Sequence, residues 1–149
     1  MDVEQAILKY TNLERKSRGL SELQWDANLA EVARDHSLDM VKNNFFSHTN
    51  LKVEDPIARA ISHNYNVHKE LGGGWFSDGI AENIGKMPTG NVEGIGYVSS
   101  DADSIAKAQV DSWMQSSGHR ANILDSNYIR LGVGVAYDGL NYFATQNFY

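Results

Sequence analysis

The amino-acid sequence predicts an α+β fold, in which helices pack against an antiparallel sheet. Two observations predict it. Apolar residues recur with helical spacing through the N-terminal part and again after residue 100. Residues 131–137 instead alternate bulky and small side chains, and after the turn signal Asp138-Gly139 residues 142–148 can return antiparallel, which is typical of a β-hairpin. We expect one domain over residues 1–149, because a chain of 149 residues has the size of an ordinary domain.

Three helices are predicted before residue 65. The first follows Asp2 as N-cap and ends before Gly19, and the second follows Asp26 and ends near Asn43-Asn44. The third has Asp55-Pro56 as its N-cap and first helical residue. The residues expected to face the core are Val3, Ala6, Ile7 and Tyr10, then Leu29, Val32, Ala33, His36, Met40 and Val41, then Ile57, Ala60 and Ile61.

The middle of the chain differs in composition. Residues 62–100 contain eight of the thirteen glycines, so we expect short and interrupted elements there. A fourth helix is predicted to begin after Asp103 as N-cap and to end at Gly118. In the strand that follows, Gly132 and Gly134 leave one face nearly flat, which allows a helix to pack close to it.

The composition excludes several classes of protein. Thirteen Lys and Arg against nineteen Asp and Glu give a net charge of −6, so nucleic acid is not an expected partner. No apolar run approaches the roughly 18 residues of a transmembrane helix, and the N-terminus is not typical of an export signal. Because the chain has no cysteine, any metal ion must be held by His, Asp or Glu.

Three polar residues have contexts that favour a site. His48 follows two phenylalanines at a predicted helix exit, His119 follows the predicted helix stop, and Glu82 lies within an apolar stretch. Their separations of 34 and 37 residues do not by themselves predict that they meet. His36 is predicted to be a hydrogen-bonded core histidine, and the two histidines of residues 62–69 are predicted to be solvated surface residues.

Seven short motifs occur in an order that resembles one family. They are Asn12-x-x-Arg15, Gly19-Leu20-x-x-Leu23-x-Trp25-Asp26, Phe46-Ser47-His48-Thr49, Ala81-Glu82-Asn83-Ile84, Trp113-x-x-Ser116-x-Gly118-His119-Arg120-x-Asn122-Ile123-Leu124, Leu131-Gly132-Val133-Gly134 and Thr145-Gln146-Asn147-Phe148. The chain resembles the CAP superfamily (SCP, or cysteine-rich secretory protein, antigen 5 and pathogenesis-related 1) in its cysteine-free bacterial form. The resemblance is weakest over residues 62–78 and 86–102.

The resemblance implies an α-β-α sandwich and a central cleft. His48 and His119 match the two cleft histidines, and Glu82 matches the acidic residue of the family's Gly-Glu-Asn segment. Two departures are visible. Ser116 stands where complete members have a second Glu, and Ala81 replaces the glycine. We therefore expect a cleft in which three side chains, with Ser116 and Asn83 beside them, carry the chemistry.

Such a cleft is suited to a divalent metal. Two neutral imidazoles, His48 and His119, are ligands for Zn²⁺ or a similar ion, and Glu82 is either a third ligand or the general base beside a metal-bound water. Ser116 supplies neither the charge nor the basicity of the missing Glu, and as a nucleophile it has no acid to orient its histidine. Asn83 is expected to anchor the loop that holds Glu82.

Two functions remain open at this point, together with a third possibility in which the cleft binds no ion and His48, Glu82 and His119 form only a hydrogen-bonded polar network. One is a secreted, non-enzymatic recognition domain whose cleft binds a divalent metal and a peptide, lipid or cell-wall fragment. The other is a metal-assisted hydrolase of peptide bonds, so whether the protein is an enzyme is undecided. By resemblance we expect an extracellular monomer without a transmembrane segment, whose leader has been removed.

Overall fold

The computed structural model describes residues 2–149, and within them it contains five helices and eight strands. The helices are α1 (Val3–Lys16), α2 (Ala27–Lys42), α3 (Pro56–Ser62), α4 (Ala102–Met114) and α5 (Ser117–Ile123). The strands are β1 (Gln24–Trp25), β2 (His68–Gly72), β3 (Trp75–Asp78), β4 (Ala81–Pro88), β5 (Gly90–Val92), β6 (Gly96–Val98), β7 (Arg130–Tyr137) and β8 (Asn141–Phe148).

The central sheet has the strand order β1-β7-β8-β4. The pairs β7-β8 and β8-β4 are antiparallel, whereas the two-residue β1 joins β7 in parallel. The carboxylate of Asp138 accepts hydrogen bonds from the backbone N–H groups of Leu140 and Asn141 at 2.8 and 2.7 Å, which fixes the predicted turn between β7 and β8. The C-terminal hairpin is therefore confirmed, and β2-β3 and β5-β6 form two small separate hairpins.

Helices cover both faces of this sheet. On the flat face, a Cβ atom added to Gly132 or Gly134 would lie within 3.0 Å of backbone atoms of Ala30 or Arg34, so α2 packs directly onto β7. On the other face, Val133 of β7 belongs to a core that also contains residues of α1 and α4. This arrangement is the expected α-β-α sandwich.

The predicted N-caps of the first three helices are confirmed. Asp2, Asp26 and Asp55 each accept a hydrogen bond from the backbone N–H three residues later, at 2.9, 3.0 and 2.8 Å. The boundaries of the fourth helix were predicted wrongly. Asp101, and not Asp103, is its N-cap, because the Asp101 side chain accepts from the Ser104 N–H at 2.8 Å.

The end of α4 also differs from the prediction. Ser116 has an extended backbone, with φ −107° and ψ 123°, so the helix ends at Met114 and a new helix, α5, begins at Ser117. Gly118 lies inside α5 and terminates nothing. His119 is consequently a helical residue, and Ser116 lies at the N-cap of α5 instead of in the last turn of α4.

The inward face of α3 was predicted wrongly in part. Ala60 is buried as expected, but Ile57 and Ile61 are 36% and 57% exposed. The helix buries Arg59 instead, which is only 4% exposed. The reason lies in the charge that Arg59 meets inside the protein.

Candidate functional site

Glu82 is the centre of the site. It lies on β4 opposite Asn147 of β8, and its side chain is 1% exposed. Burying a carboxylate in this way is costly unless its oxygens are hydrogen-bonded and its charge is compensated. Three neighbouring side chains meet both requirements.

Arg59 supplies the compensating charge. Its Nη2 atom donates to both oxygens of Glu82, at 2.9 Å to Oε1 and 2.7 Å to Oε2, and to the backbone carbonyl of His48 at 2.9 Å. Arg59 thus ties α3 to β4 and to the loop that carries His48. Sequence reasoning missed this residue, although an acid inside an apolar stretch was itself a signal that a buried cation must lie nearby.

The remaining bonds to Glu82 come from an amide and an imidazole. Asn147 Nδ2 donates to Oε2 at 2.8 Å, and His48 Nδ1 lies 2.9 Å from Oε1. Burial acts to raise the pKa of Glu82, but the hydrogen bond from His48 and the charge of Arg59 outweigh it and lower the pKa. Glu82 is therefore an ionised carboxylate with both oxygens in use.

This carboxylate determines the tautomer of His48. An ionised carboxylate only accepts hydrogen bonds, so the Nδ1 atom of His48 carries the hydrogen that it donates. The Nε2 atom is then the one with a free lone pair when the ring is neutral. Because the His48 side chain is 51% exposed, a ligand from solvent can reach the ring.

His119 is the second predicted cleft histidine, and it lies near the first. Desolvation, followed by repulsion from the charge of His48, lowers the pKa of His119, so the ring is neutral at pH 7. Its backbone carbonyl accepts a hydrogen bond from Asn83 Nδ2 at 3.1 Å. The structure therefore joins the His48 ring to Glu82 and ties the backbone of His119 to Asn83, the residue after Glu82 on β4.

Asn83 has a different role from the one expected. It is part of β4 and not of a loop. Its carboxamide links β4 to α5 in two ways: Asn83 Nδ2 donates to the carbonyl of His119, and Asn83 Oδ1 accepts from Asn122 Nδ2 at 2.9 Å. On the other side it donates to Gln146 at 3.2 Å. Asn83 therefore fixes the position of α5, and so of His119, relative to Glu82.

Trp113 and Asn122 protect the edge of β4. Trp113 Nε1 donates to the carbonyl of Ile84 at 2.9 Å, and Asn122 Nδ2 donates to the carbonyl of Glu82 at 3.2 Å. Side-chain donors on the carbonyls of an edge strand keep that edge from pairing with another chain. Ser116 is half-buried, and its side chain makes no capping hydrogen bond to α5.

His36 is buried as predicted and lies behind the site. Its Nε2 donates to the carbonyl of Ser47 at 2.8 Å and lies 4.0 Å from Glu82 Oε1. Desolvation and then the charge of Arg59 lower the pKa of His36, so this ring is neutral too. The other two histidines are exposed at the surface as predicted, and both bond to carboxylates there: His63 to Asp35, and His68 to Glu70 and Asp78.

A metal ion requires several His, Asp or Glu donors that face one point. Within residues 2–149, no group of three or more His, Asp or Glu side chains is arranged to hold a metal. Direct ligation by Glu82 would break at least one of its four hydrogen bonds. The residues left that could ligate an ion are the two imidazoles, and Glu82 stands behind His48 in the carboxylate–histidine arrangement that orients metal ligands.

A model of the cysteine-rich secretory protein family, CAP, matches residues 8–148 of the chain. Two relatives come from Bacillus subtilis. YlbC, described as an uncharacterized membrane protein, is 36% identical over 146 residues, which are 97% of this chain and 34% of YlbC. YkwD, described as an uncharacterized protein, is 31% identical over 136 residues, which are 91% of this chain and 43% of YkwD. The chain spans less than half the length of these relatives.

Solved structures share the fold. An extracellular SCP-domain protein of Bacillus anthracis superposes with a TM-score of 0.74 at 31% identity, over 98% of this chain and 39% of that one. An outer surface protein of Borrelia burgdorferi gives a TM-score of 0.68 at 18% identity, over 99% of this chain and 95% of that one. Of the helices in residues 2–149, none is both long and apolar enough to cross a membrane.

Proposed function

Because the chain belongs to the cysteine-rich secretory protein (CAP) family, we propose that it is an extracellular recognition domain whose cleft binds a divalent metal ion, such as Zn²⁺, and a ligand. The ligand that we propose is a peptide, a lipid or a cell-wall fragment. The proposed extracellular location is supported by the similar Bacillus anthracis structure, which is that of an extracellular protein. The relative YlbC is instead described as a membrane protein.

One observation carries the recognition role, namely that both oxygens of Glu82 are already engaged. A general base must accept a proton from water, but Oε1 and Oε2 already accept bonds from His48, Arg59 and Asn147. The ion pair with Arg59 also lowers the pKa of Glu82, which makes the carboxylate a weaker base. The hydrolase alternative therefore lacks the base that it assigns to Glu82, and Ser116 does not replace it.

In this proposal His48 and His119 hold the metal. His48 offers Nε2, since Nδ1 is bonded to Glu82, and His119 offers a neutral imidazole. Glu82 orients His48, and Arg59 keeps Glu82 in place. When bound, the ion would act as a Lewis acid that attracts an oxygen or nitrogen atom of the ligand.

The test is a zinc titration by calorimetry on the wild type and on single alanine variants. We expect His48→Ala and His119→Ala to abolish zinc binding. His68→Ala is the matched control, because it removes an imidazole from β2 that does not contact Glu82, and we expect it to bind zinc as the wild type does. Unchanged zinc binding in His48→Ala or His119→Ala would show that the cleft is not the metal site.

Catalysis is tested separately. Peptide substrates are incubated with the zinc-loaded wild type, with and without chelator, and with Glu82→Gln. We expect no chelator-sensitive cleavage in the wild type. Cleavage that disappears both with chelator and in Glu82→Gln would overturn the recognition role in favour of the hydrolase.

A further inference from the structure

A second cavity lies away from the cleft. Its volume is about 420 Å³, and its lining includes Asp26, Asn28, Tyr65, Arg130 and Tyr149 but none of His48, Glu82 and His119. We call it the tyrosine cavity. Its volume falls within the roughly 300–1,000 Å³ of cavities that take small ligands.

The aromatic wall of the tyrosine cavity is held in place by the end of α3. Asn64 has φ +58°, the left-handed conformation that ends a helix, and the Tyr65 N–H then bonds to the carbonyl of Ala60 at 2.9 Å. The Tyr65 hydroxyl donates to Asp26 Oδ2 at 2.6 Å. Burial and this hydrogen bond raise the pKa of Tyr65, so its hydroxyl stays protonated.

Tyr149 forms the second part of the wall. Its ring lies perpendicular to that of Tyr65, with 5.6 Å between centroids and 83° between planes. The Tyr149 hydroxyl donates to the carbonyl of His68 at 2.6 Å, and Lys69 Nζ lies 4.5 Å from its ring centroid. Both tyrosines are partly exposed, so a ring that enters the cavity can pack against a rigid aromatic surface.

Arg130 is the group in this cavity with unused hydrogen-bond donors. Its side chain is 50% exposed, and within residues 2–149 it donates no hydrogen bond; its Nη1 lies 3.7 Å from Asp26 Oδ2. Arg130 and Asp26 therefore form an ion pair without a hydrogen bond, and the oxygens of Asp26 accept from the Leu29 N–H and the Tyr65 hydroxyl. A guanidinium whose N–H groups are not hydrogen-bonded can bind a second carboxylate in a two-point geometry.

Carboxamides complete the lining. Asn28, Asn64 and Asn66 are exposed and border the cavity, and each side chain offers both a donor and an acceptor. Such groups match hydroxyls, which also donate and accept. The chain's net charge of −6 disfavours a polyanion, whereas one Arg with unused N–H donors matches a single carboxylate.

From this combination we infer that the tyrosine cavity binds a sugar that carries a carboxylate. The carboxylate pairs with Arg130, the sugar ring packs on Tyr65 and Tyr149, and the hydroxyls bond to the asparagines. This site is independent of the metal-binding cleft, and either can fail without the other.

The test is an NMR titration of the ¹⁵N-labelled chain with three probes: glucuronate, which has both ring and carboxylate, glucose, which has the ring alone, and acetate, which has the carboxylate alone. We expect glucuronate to shift the backbone signals of residues that line the tyrosine cavity, with a Kd on the order of 1 mM for so small a ligand. Glucose and acetate should each bind at least about tenfold more weakly.

Variants complete the experiment. Arg130→Gln should weaken glucuronate binding at least about tenfold, because it removes a charged two-point contact. His119→Ala should leave glucuronate binding unchanged, since it alters only the cleft. Equal binding of all three probes, equal binding of glucuronate and acetate, or undiminished glucuronate binding by Arg130→Gln would each overturn the inference.

Discussion

Replacing Arg59 by methionine removes the cation that compensates buried Glu82 while keeping a side chain of similar length. The substitution eliminates three contacts of Nη2, at 2.9 and 2.7 Å to Glu82 and 2.9 Å to the carbonyl of His48. It leaves the carboxylate, whose side chain is 1% exposed, with only His48 and Asn147 as partners.

The expected loss of stability follows from the cost of an unpaired buried charge. Removing one partner of a buried ion pair costs about 3–5 kcal/mol. Since two donors, His48 and Asn147, still bond to Glu82, we expect the lower end, about 3 kcal/mol at pH 7. Glu82→Gln leaves Arg59 unpaired and should also destabilise the chain, but the double variant should lose at least about 1 kcal/mol less than the sum of the single variants.

Urea denaturation followed by circular dichroism measures these free energies of unfolding. Arg18→Met is the matched control, because Arg18 pairs with Glu14 on the surface of α1 with 44% and 30% of the side chains exposed. Loss of this exposed ion pair should lower the free energy of unfolding by no more than about 0.5 kcal/mol. If Arg59→Met cost as little as Arg18→Met, or if the two single effects were additive, the reasoning about Glu82 would be refuted.

Three further substitutions and one control test the fold. Gly134→Ala should destabilise the chain by about 3 kcal/mol in thermal melts, because the added Cβ would collide with the α2 backbone. Gly118→Ala is the control, since its Cβ meets nothing within 4 Å, and it should be neutral or stabilising. A similar loss of stability in both variants would contradict the close packing of α2. Asp101→Ala should cost about 1 kcal/mol in urea denaturation, because it removes the N-cap of α4, and no loss would refute that cap. Desolvation lowers the pKa of His63, but its bonds to Asp35 and the Arg59 carbonyl outweigh this and raise it. The contribution of protonated His63 to the free energy of unfolding is therefore full below the unfolded-state pKa of about 6.5 and is lost as pH rises through the folded-state pKa. His63→Gln should then cost more stability at pH 6 than at pH 9, by less than about 1 kcal/mol. An equal cost at the two pH values would contradict a raised pKa for His63.

Local signals in the sequence were sufficient for some elements. Asp2, Asp26 and Asp55 each bond to an N–H three residues away, and Asp138-Gly139 closes a hairpin between adjacent strands, so nearby residues determine these features. The prediction of Asp103 as the α4 cap was wrong because the residue type does not specify which aspartate takes the extended backbone of an N-cap, and Asp101 takes it, with φ −79° and ψ 155°. Asp103 instead bonds to Lys9 and Tyr10 of α1, a contact across 94 and 93 residues.

The site depended on contacts that periodicity does not detect. Hydrophobic spacing predicted that Ile57 and Ile61 face inward, yet α3 turns so that Arg59 meets the carboxylate of Glu82. His48 and Arg59 bond to Glu82 across 34 and 23 residues of sequence, and no local pattern predicts these two contacts. Only the resemblance to the CAP superfamily placed His48, Glu82 and His119 together, and it did not identify Arg59.

The central claim is that Glu82 holds the hydrogen of His48 on Nδ1 and leaves Nε2 for a metal. Side-chain ¹⁵N NMR of the histidines during a zinc titration tests it most directly. Before zinc we expect His48 with a protonated Nδ1, and on addition we expect His48 Nε2 and a nitrogen of His119 to shift together while His68 does not. A His48 ring protonated on Nε2 before zinc, or zinc shifts confined to other histidines, would contradict the claim.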